Sequence, residues 1–87
     1  MLEFNAKQKQ MLEREGFTIN DKFQRAIFSF ENGDSLEIEI EQRYMNKPIV
    51  YARLWENDYN QLKKSWQSPT LSGLNLKKIK IQCEKIK

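Results

Sequence analysis

Residues 23–43 read FQRAIFSFENGDSLEIEIEQR, and this stretch decides the fold of the whole chain. Apolar and polar residues alternate on both sides of residues 31–34, which is the pattern of strands with one buried face. An Asn-Gly pair between two alternating segments indicates a β-hairpin. We therefore expect two antiparallel strands joined by a tight turn at Asn32 and Gly33.

The apolar pattern also decides the length of the hairpin loop. A two-residue Asn-Gly loop would pair Phe28 with Glu37 and place a carboxylate on the apolar face. A three-residue loop, formed by residues 31–33 or by residues 32–34, avoids this conflict. We favour residues 31–33, because glycine adopts positive φ without strain and Gly33 would then take the left-handed position of a bulge. The side chains expected on the buried face are those of Ala26, Phe28, Phe30, Leu36, Ile38 and Ile40.

The segments that flank the hairpin predict one helix, one further strand and a short extended piece. Residues 4–17 carry both helix-end signals, since Asn5 is a good N-cap and Gly16 suits the left-handed position after the last turn. The extended piece at residues 17–19 is either a brief extra strand at the sheet edge or a connection, and the order of elements given below does not count it. Residues 49–55 alternate with apolar bulk on both sides, so we expect an interior strand there.

The C-terminal third predicts a second helix followed by a last strand. Residues 59–67 place large apolar side chains at the i, i+3 and i+7 spacing of one helix face, namely Tyr59, Leu62 and Trp66. Residues 76–87 alternate apolar residues with lysine and glutamine, the apolar ones being Ile79, Ile81 and Cys83. The predicted fold is a single α+β domain over residues 1–87, a two-layer sandwich of an antiparallel meander sheet and two helices in the order α-β-β-β-α-β.

Composition restricts the class of protein and its chemistry. The chain has 87 residues, 39% of them apolar and 31% charged, which is sufficient for one folded domain with a single core. Cys83 is the only cysteine and histidine is absent, so we expect no disulfide, no metal site and no cofactor. No apolar run is long enough for a membrane span, and residues 1–10 lack the apolar region of a signal peptide. We expect a cytoplasmic protein in which Cys83 is a small buried side chain.

The residue types that support catalysis are largely missing. Serine and cysteine nucleophiles normally need a histidine base, and the three glycines stand singly rather than in a phosphate-binding loop. Glu37, Glu39 and Glu41 are close enough in sequence for acid–base chemistry, but they alternate with apolar residues, so we expect them on the solvated face of a strand. We therefore predict a protein without enzymatic activity.

Aromatic and basic residues in the middle of the chain form the first candidate binding surface. Tyr51, Arg53 and Trp55 alternate along one strand, so they are expected to share one face of the sheet. These residue types are enriched as anchors in protein interfaces, although they also pack in cores, and aromatic side chains also stack on bases. Lys63 and Lys64, near the end of the predicted second helix, complete this candidate partner-binding set.

Lysines near the C-terminus form the second candidate surface, which would contact the phosphates of a nucleic acid. Its members are Lys77, Lys78, Lys80 and Lys85. A structural role is the alternative, because a last strand beside the hairpin would place Lys78 and Lys80 across from Glu37 and Glu39. The net charge of +3 is small for a dedicated nucleic-acid-binding domain, so we favour the cross-strand ion pairs.

Two functions from different classes follow from these surfaces. The first is a non-catalytic protein-interaction module, for example an inhibitor or other accessory protein of a phage or mobile element that binds and modulates a host protein. The bias towards lysine, asparagine and isoleucine is what an AT-rich genome tends to produce. The alternative is a small nucleic-acid-binding domain that uses the sheet face and the lysine-rich C-terminal strand. We favour a protein partner, with the chain a monomer or a homodimer formed through an unpaired strand edge.

Overall fold

The strands follow one another in space as they do in sequence. The computed structural model describes residues 3–42, 47–57 and 61–85. Its elements are α1 (Ala6–Arg14), β1 (Thr18–Asn20), β2 (Arg25–Ser29), β3 (Ser35–Glu41), β4 (Ile49–Trp55), β5 (Leu62–Ser68), a 3₁₀ turn (Ser72–Leu74) and α2 (Leu76–Lys85). The strands form an open antiparallel sheet in the order β1-β2-β3-β4-β5. The predicted fold class, α+β with two helices and an antiparallel meander, is confirmed at this level.

The hairpin between β2 and β3 has the predicted register. Phe28 lies opposite Leu36, and the N–H of Phe30 donates to the carbonyl oxygen of Asp34 at 2.9 Å. The loop therefore has the three residues that we favoured, and Gly33 adopts φ +96° at its last position. A residue with a β-carbon is strained at this φ, so the glycine allows the turn that keeps both strands in register.

Both ends of α1 are fixed by the predicted capping residues. The Asn5 side chain accepts from the N–H of Gln8, and the Gln8 side chain accepts from the N–H of Asn5, each at 2.8 Å. At the other end Gly16 has φ +88°, and the N–H of Phe17 donates to the carbonyl oxygen of Leu12 at 3.0 Å. This C-terminal cap turns the chain directly into β1.

The fifth strand replaces part of the helix predicted at residues 59–67, and that prediction is wrong. Trp66 lies opposite Ala52 and packs against the core, whereas Leu62 is 42% exposed. Tyr59, the first residue of the predicted helical stripe, lies outside the described residues. Because an edge strand has one neighbour and needs few apolar residues, its period-two pattern is sparse and the helical spacing misled the prediction.

Helix α2 replaces the strand predicted at residues 76–87, which is also wrong. Its buried residues follow the helical spacing i, i+3 and i+7, namely Leu76, Ile79 and Cys83. Ile81, which a strand would bury with them, is 55% exposed. Lysine, leucine, glutamine and glutamate all favour helices, and this preference agrees with the buried stripe. The observed order is α-β-β-β-β-β-α; the predicted order α-β-β-β-α-β does not count the short strand β1 and is incorrect beyond β4.

One face of the sheet, which we name the inner face, shares a single core with both helices. The buried members of this core are Phe4, Leu12, Phe17, Ala26, Leu36, Ile38, Val50, Ala52, Leu54, Leu71, Leu74, Leu76, Ile79 and Cys83. Phe28 and Phe30 pack against it but are only half-buried, which confirms the expected face and corrects the expected full burial. Among the described residues, no helix has the length and apolar character needed to cross a membrane.

Candidate functional site: the outer face of the sheet

The opposite face of the sheet, which we name the outer face, is built from cross-strand rows. Between β4 and β3 the opposite pairs are Trp55 with Ser35, Arg53 with Glu37, Tyr51 with Glu39 and Ile49 with Glu41. On the other side of β3, Glu37 lies opposite Ile27 and Glu39 lies opposite Arg25. The structure therefore brings Tyr51, Arg53 and Trp55 together on one face, as their alternation predicts. All three side chains are half-buried.

Glu37 is buried on the outer face although it carries a carboxylate. It is 4% exposed and lies in the middle of β3, the central strand. Its oxygens lie 3.4 Å from Arg25 Nη1 and 3.9 Å from Arg53 Nη1, and one of them accepts a hydrogen bond from Trp55 Nε1 at 3.3 Å. The expectation of a solvated carboxylate is wrong for Glu37, because long side chains from the neighbouring strands fold over it.

Arg53 connects the rows of the outer face. Its Nη2 lies 2.8 Å from Glu41 Oε1, its Nη1 lies 3.8 Å from Glu39 Oε2, and its guanidinium lies 4.6 Å from the centroid of the Tyr51 ring. A planar guanidinium can pair with carboxylates and stack on an aromatic ring at the same time, so one side chain orders several neighbours. Arg53 is thus a fixed part of this face.

Lys63 and Lys64 do not join these residues. Lys63 Nζ lies 2.6 Å from Asp34 Oδ2, next to the hairpin loop, and Lys64 Nζ lies 5.3 Å from the centroid of the Trp66 ring. The sequence placed both lysines near the end of a helix, whereas they belong to β5 beside a register shift opposite Leu54 and Trp55. The predicted partner-binding set of five residues is therefore divided. Tyr51, Arg53 and Trp55 share the outer face, whereas Lys63 contacts Asp34 and Lys64 contacts Trp66.

The C-terminal lysines lie on α2 rather than on a strand. Lys77, Lys78 and Lys85 are exposed, while Lys80 Nζ donates to the carbonyl oxygen of Glu15 at 2.6 Å and lies 3.5 Å from its carboxylate. The predicted pairing of Lys78 and Lys80 with glutamates of the hairpin is therefore wrong. The arginines of β2 and β4 occupy that position instead, as described above.

A cleft of about 870 Å³ lies where the hairpin loop, the end of β4 and the last turn of α2 meet. We name it the hairpin cleft; its apolar lining is Phe28, Phe30 and Cys83, and its acidic lining is Glu31, Asp34, Glu56 and Glu84. Sequence reasoning missed it, because only the tertiary fold brings α2 beside the hairpin. The Asn-Gly-Asp turn is the one local signal that a carboxylate would stand there.

Cys83 lies in the lining of this cleft as a buried thiol. Burial raises the pKa of the Cys83 thiol from 9.0 to about 11. The negative charges of Asp34 and Glu84 act in the same direction, while Lys64 opposes them. Since the thiolate is the reactive form, Cys83 has little nucleophilic character at neutral pH.

Residues 3–42, 47–57 and 61–85 contain no group of three or more histidine, cysteine, aspartate or glutamate side chains arranged to hold a metal ion. The outer face presents aromatic, aliphatic and charged groups that are ordered by ion pairs and hydrogen bonds. Comparison of the chain with protein-family models, curated proteins and solved structures finds no match.

Proposed function

We propose that the protein is a non-catalytic interaction module that binds another protein through the outer face of its sheet. The observation that carries the proposal is the group of large side chains that β4 presents on this face: Ile49, Tyr51 and Trp55. Each is half-buried, so part of its apolar surface remains accessible to a partner. Tyrosine and tryptophan are enriched among the residues that dominate binding energy in protein interfaces.

The ion pairs of the outer face support the proposal by ordering the surface before any partner arrives. Arg53 is held by Glu41 and stacks on Tyr51, while Trp55 is held by Glu37. Side chains that are already ordered lose less conformational entropy on binding, and this raises the affinity available from a given contact area.

The outer face also indicates the chemistry of the partner. Its three glutamates on β3 face two arginines, Arg25 and Arg53, which leaves one carboxylate in excess. We expect a folded protein whose contact patch has an apolar centre and a basic rim, because complementary charge favours the encounter. The proposal takes the domain as a two-layer sandwich in which the helices cover the inner face only. On composition alone, we extend it to an accessory protein of a phage or mobile element acting on a host protein.

Nucleic-acid binding is the second candidate, and one observation favours it. Within the bounds of α1 and α2, seven basic residues stand against two acidic ones, a net charge of +5, whereas the whole chain carries +3. Phosphate contacts from Lys77, Lys78 and Lys85 would use this excess. These lysines belong to α2, however, whereas Tyr51 and Trp55 lie on the outer face of the sheet. Base stacking on the two aromatic side chains could therefore not accompany the phosphate contacts.

The test compares matched variants on the two sides of the domain. Tyr51→Ala and Trp55→Ala remove outer-face anchors, and Ile81→Ala removes an exposed apolar side chain from α2. Proteins captured from a host-cell lysate, with and without nuclease, are purified, and their Kd for each variant is measured. We expect Trp55→Ala to weaken binding about 30-fold or more, as for an interface anchor, and Ile81→Ala to change it by less than about twofold.

Circular dichroism and the melting temperature establish that each variant is folded. Tyr51→Ala is the independent check, since Trp55 also contacts Glu37 and its removal disturbs the ion pairs. Equal affinity of all three variants for the captured protein would contradict the proposal. Capture that depends on nucleic acid, and is lost on neutralising Lys77, Lys78 and Lys85, would support the second candidate instead.

A further inference from the structure

The hairpin cleft has the dimensions and lining of a ligand site, and the proposed protein interface does not use it. Its volume of about 870 Å³ lies within the roughly 300–1,000 Å³ typical of small-molecule sites. The described lining comes from four parts of the chain: the hairpin of β2 and β3, the residues after β4, Lys63 of β5, and α2. A flexible ligand of small cross-section fits such a space better than a folded partner does.

The charge of the cleft opposes the charge of the protein. Glu31, Glu56 and Glu84 are exposed, and no basic side chain among the described residues lies within ion-pair distance of any of them. Asp34 is buried and paired with Lys63 at 2.6 Å. Among the described residues that line the cleft, four carboxylates against one ammonium give a charge of −3, in a chain whose net charge is +3. A cationic ligand complements this charge.

The apolar side of the cleft suits a cation on an aliphatic chain. The rings of Phe28 and Phe30 meet edge to face, with centroids 5.0 Å apart. The ammonium of Lys80, which is not among the described lining residues, lies 4.5 Å from the centroid of the Phe28 ring, so this ring already holds one alkylammonium of the protein. A hydrated metal ion would gain nothing from such a surface, whereas methylene groups would be removed from water there.

The helix that borders the cleft adds to the preference for a cation. The last turn of α2 contributes Cys83 and Glu84 to the lining. The C-terminal end of a helix carries partial negative charge from its unpaired carbonyl groups, which favours positive groups nearby. The aromatic pair, the carboxylates and the helix end therefore all favour a cationic ligand.

We infer that the hairpin cleft binds an aliphatic polyamine. Its ammonium groups pair with Glu31, Glu56 and Glu84, and its methylene chain lies on Phe30 and Cys83. The Asp34–Lys63 pair forms a fixed wall, because Asp34 is already satisfied by an internal ammonium. This assignment is independent of the outer face and of any protein partner.

The experiment is a titration of the full chain with spermidine, followed by backbone amide NMR at about 150 mM salt. We expect saturable shifts confined to residues 28–34, 56–57, 63 and 83–84, with one ligand bound per chain. The double variant Glu31→Gln/Glu84→Gln should weaken binding about tenfold, since each exposed ion pair contributes roughly two- to fivefold. The matched control, Glu3→Gln/Glu13→Gln, removes the same charge from exposed sites elsewhere and should leave the affinity unchanged.

Phe30→Leu keeps an apolar lining but removes a ring, and it should weaken spermidine binding about two- to fivefold. Titration with MgCl2 separates a specific site from general attraction of counterions. Shifts of the same residues by Mg²⁺ at equal concentration would overturn the assignment, and so would equal losses in the two double variants. Tighter binding of a lysine tripeptide than of spermidine would also overturn it, because the occupant would then be a protein side chain.

Discussion

Replacing Glu37 with glutamine tests whether the outer face is held together by its buried carboxylate. The substitution keeps the size of the side chain and one acceptor oxygen, but it replaces the other oxygen with an NH2 donor and removes the negative charge. Glu37 contacts Arg25, Arg53 and Trp55, and its side chain is 6% exposed. Glu39 provides the matched control, because it lies on the same strand and face and contacts the same two arginines at 3.3 and 3.8 Å, with 23% exposure.

The expected cost follows from burial and from the partners that remain. At an effective dielectric constant of about 20, charges 3.4 Å apart attract by roughly 5 kcal/mol, and desolvation offsets most of this attraction. Breaking a fully buried pair costs about 3–5 kcal/mol. Here both arginines retain other carboxylates and the Arg25 side chain is 49% exposed, so we expect Glu37→Gln to cost about 1–2 kcal/mol. Glu39→Gln should cost less than about 1 kcal/mol.

Urea denaturation of the two variants measures both costs under the same conditions. The cost of Glu37→Gln should persist at about 1 M salt, because buried charges are poorly screened, whereas that of Glu39→Gln should shrink. A Glu37→Gln cost equal to or smaller than that of Glu39→Gln would refute the reasoning. The outer face would then be held by backbone pairing alone, with Glu37 a tolerated rather than a stabilising charge.

Three further predictions concern the inner face and the loops. Gly16→Ala should lower the free energy of unfolding by about 1–2 kcal/mol, because φ is positive at this position and the new β-carbon would lie 3.1 Å from Phe28 Cε2. An unchanged midpoint of urea denaturation would contradict this prediction. The folded-state pKa of Cys83, about 11, exceeds its ordinary value of 9.0, so the stability that the protonated thiol contributes should be complete below pH 9 and lost as the pH rises from 9 to 11. The melting temperature of Cys83→Ala should lack this loss. An equal fall in the melting temperatures of the variant and the unchanged protein over this pH range would refute the prediction. Asp34→Asn should lower the free energy of unfolding by about 2–3 kcal/mol, because it leaves the Lys63 ammonium without its carboxylate partner. Adding Lys63→Met should recover part of this loss, and purely additive losses in the double variant would show that the two side chains are not coupled.

The N-terminal half of the fold was predictable because its signals are local. The Asn-Gly turn, the parity of Phe28 and Leu36, and the capping residues Asn5 and Gly16 each determine geometry within a few positions. These signals do not depend on what the rest of the chain does, so they survive into the structure unchanged.

The C-terminal half was not predictable in the same way, because its patterns fit two structures. Ile79 and Cys83 satisfy both the period of a strand and the spacing of a helix, and the two are separated by the exposure of Ile81 and the burial of Leu76. Edge strand β5 needs little apolar surface, so its sequence carries a weak pattern.

The candidate surfaces were likewise predictable only where a local pattern determined them. Alternation was sufficient to place Tyr51, Arg53 and Trp55 on one face. It could not indicate that Glu37 is buried, since a solvated and a covered carboxylate have the same period in sequence. The lysines were assigned to the wrong element, so their partners, Asp34 and Glu15, could not be anticipated.

The nearest-neighbour order of the strands has a consequence for how the chain folds. Every strand pairs only with strands adjacent in sequence, so each pairing closes a short loop and loses little chain entropy. The contact between Lys80 and Glu15 spans 65 positions, because α2 must return to the end of α1. We therefore expect the hairpins to gain protection from hydrogen exchange before α2 does, and the reverse order in pulse labelling would contradict this. A chain that leaves the ribosome N-terminus first can thus pair its strands as they emerge, while the core stays open on one side until the last helix is complete.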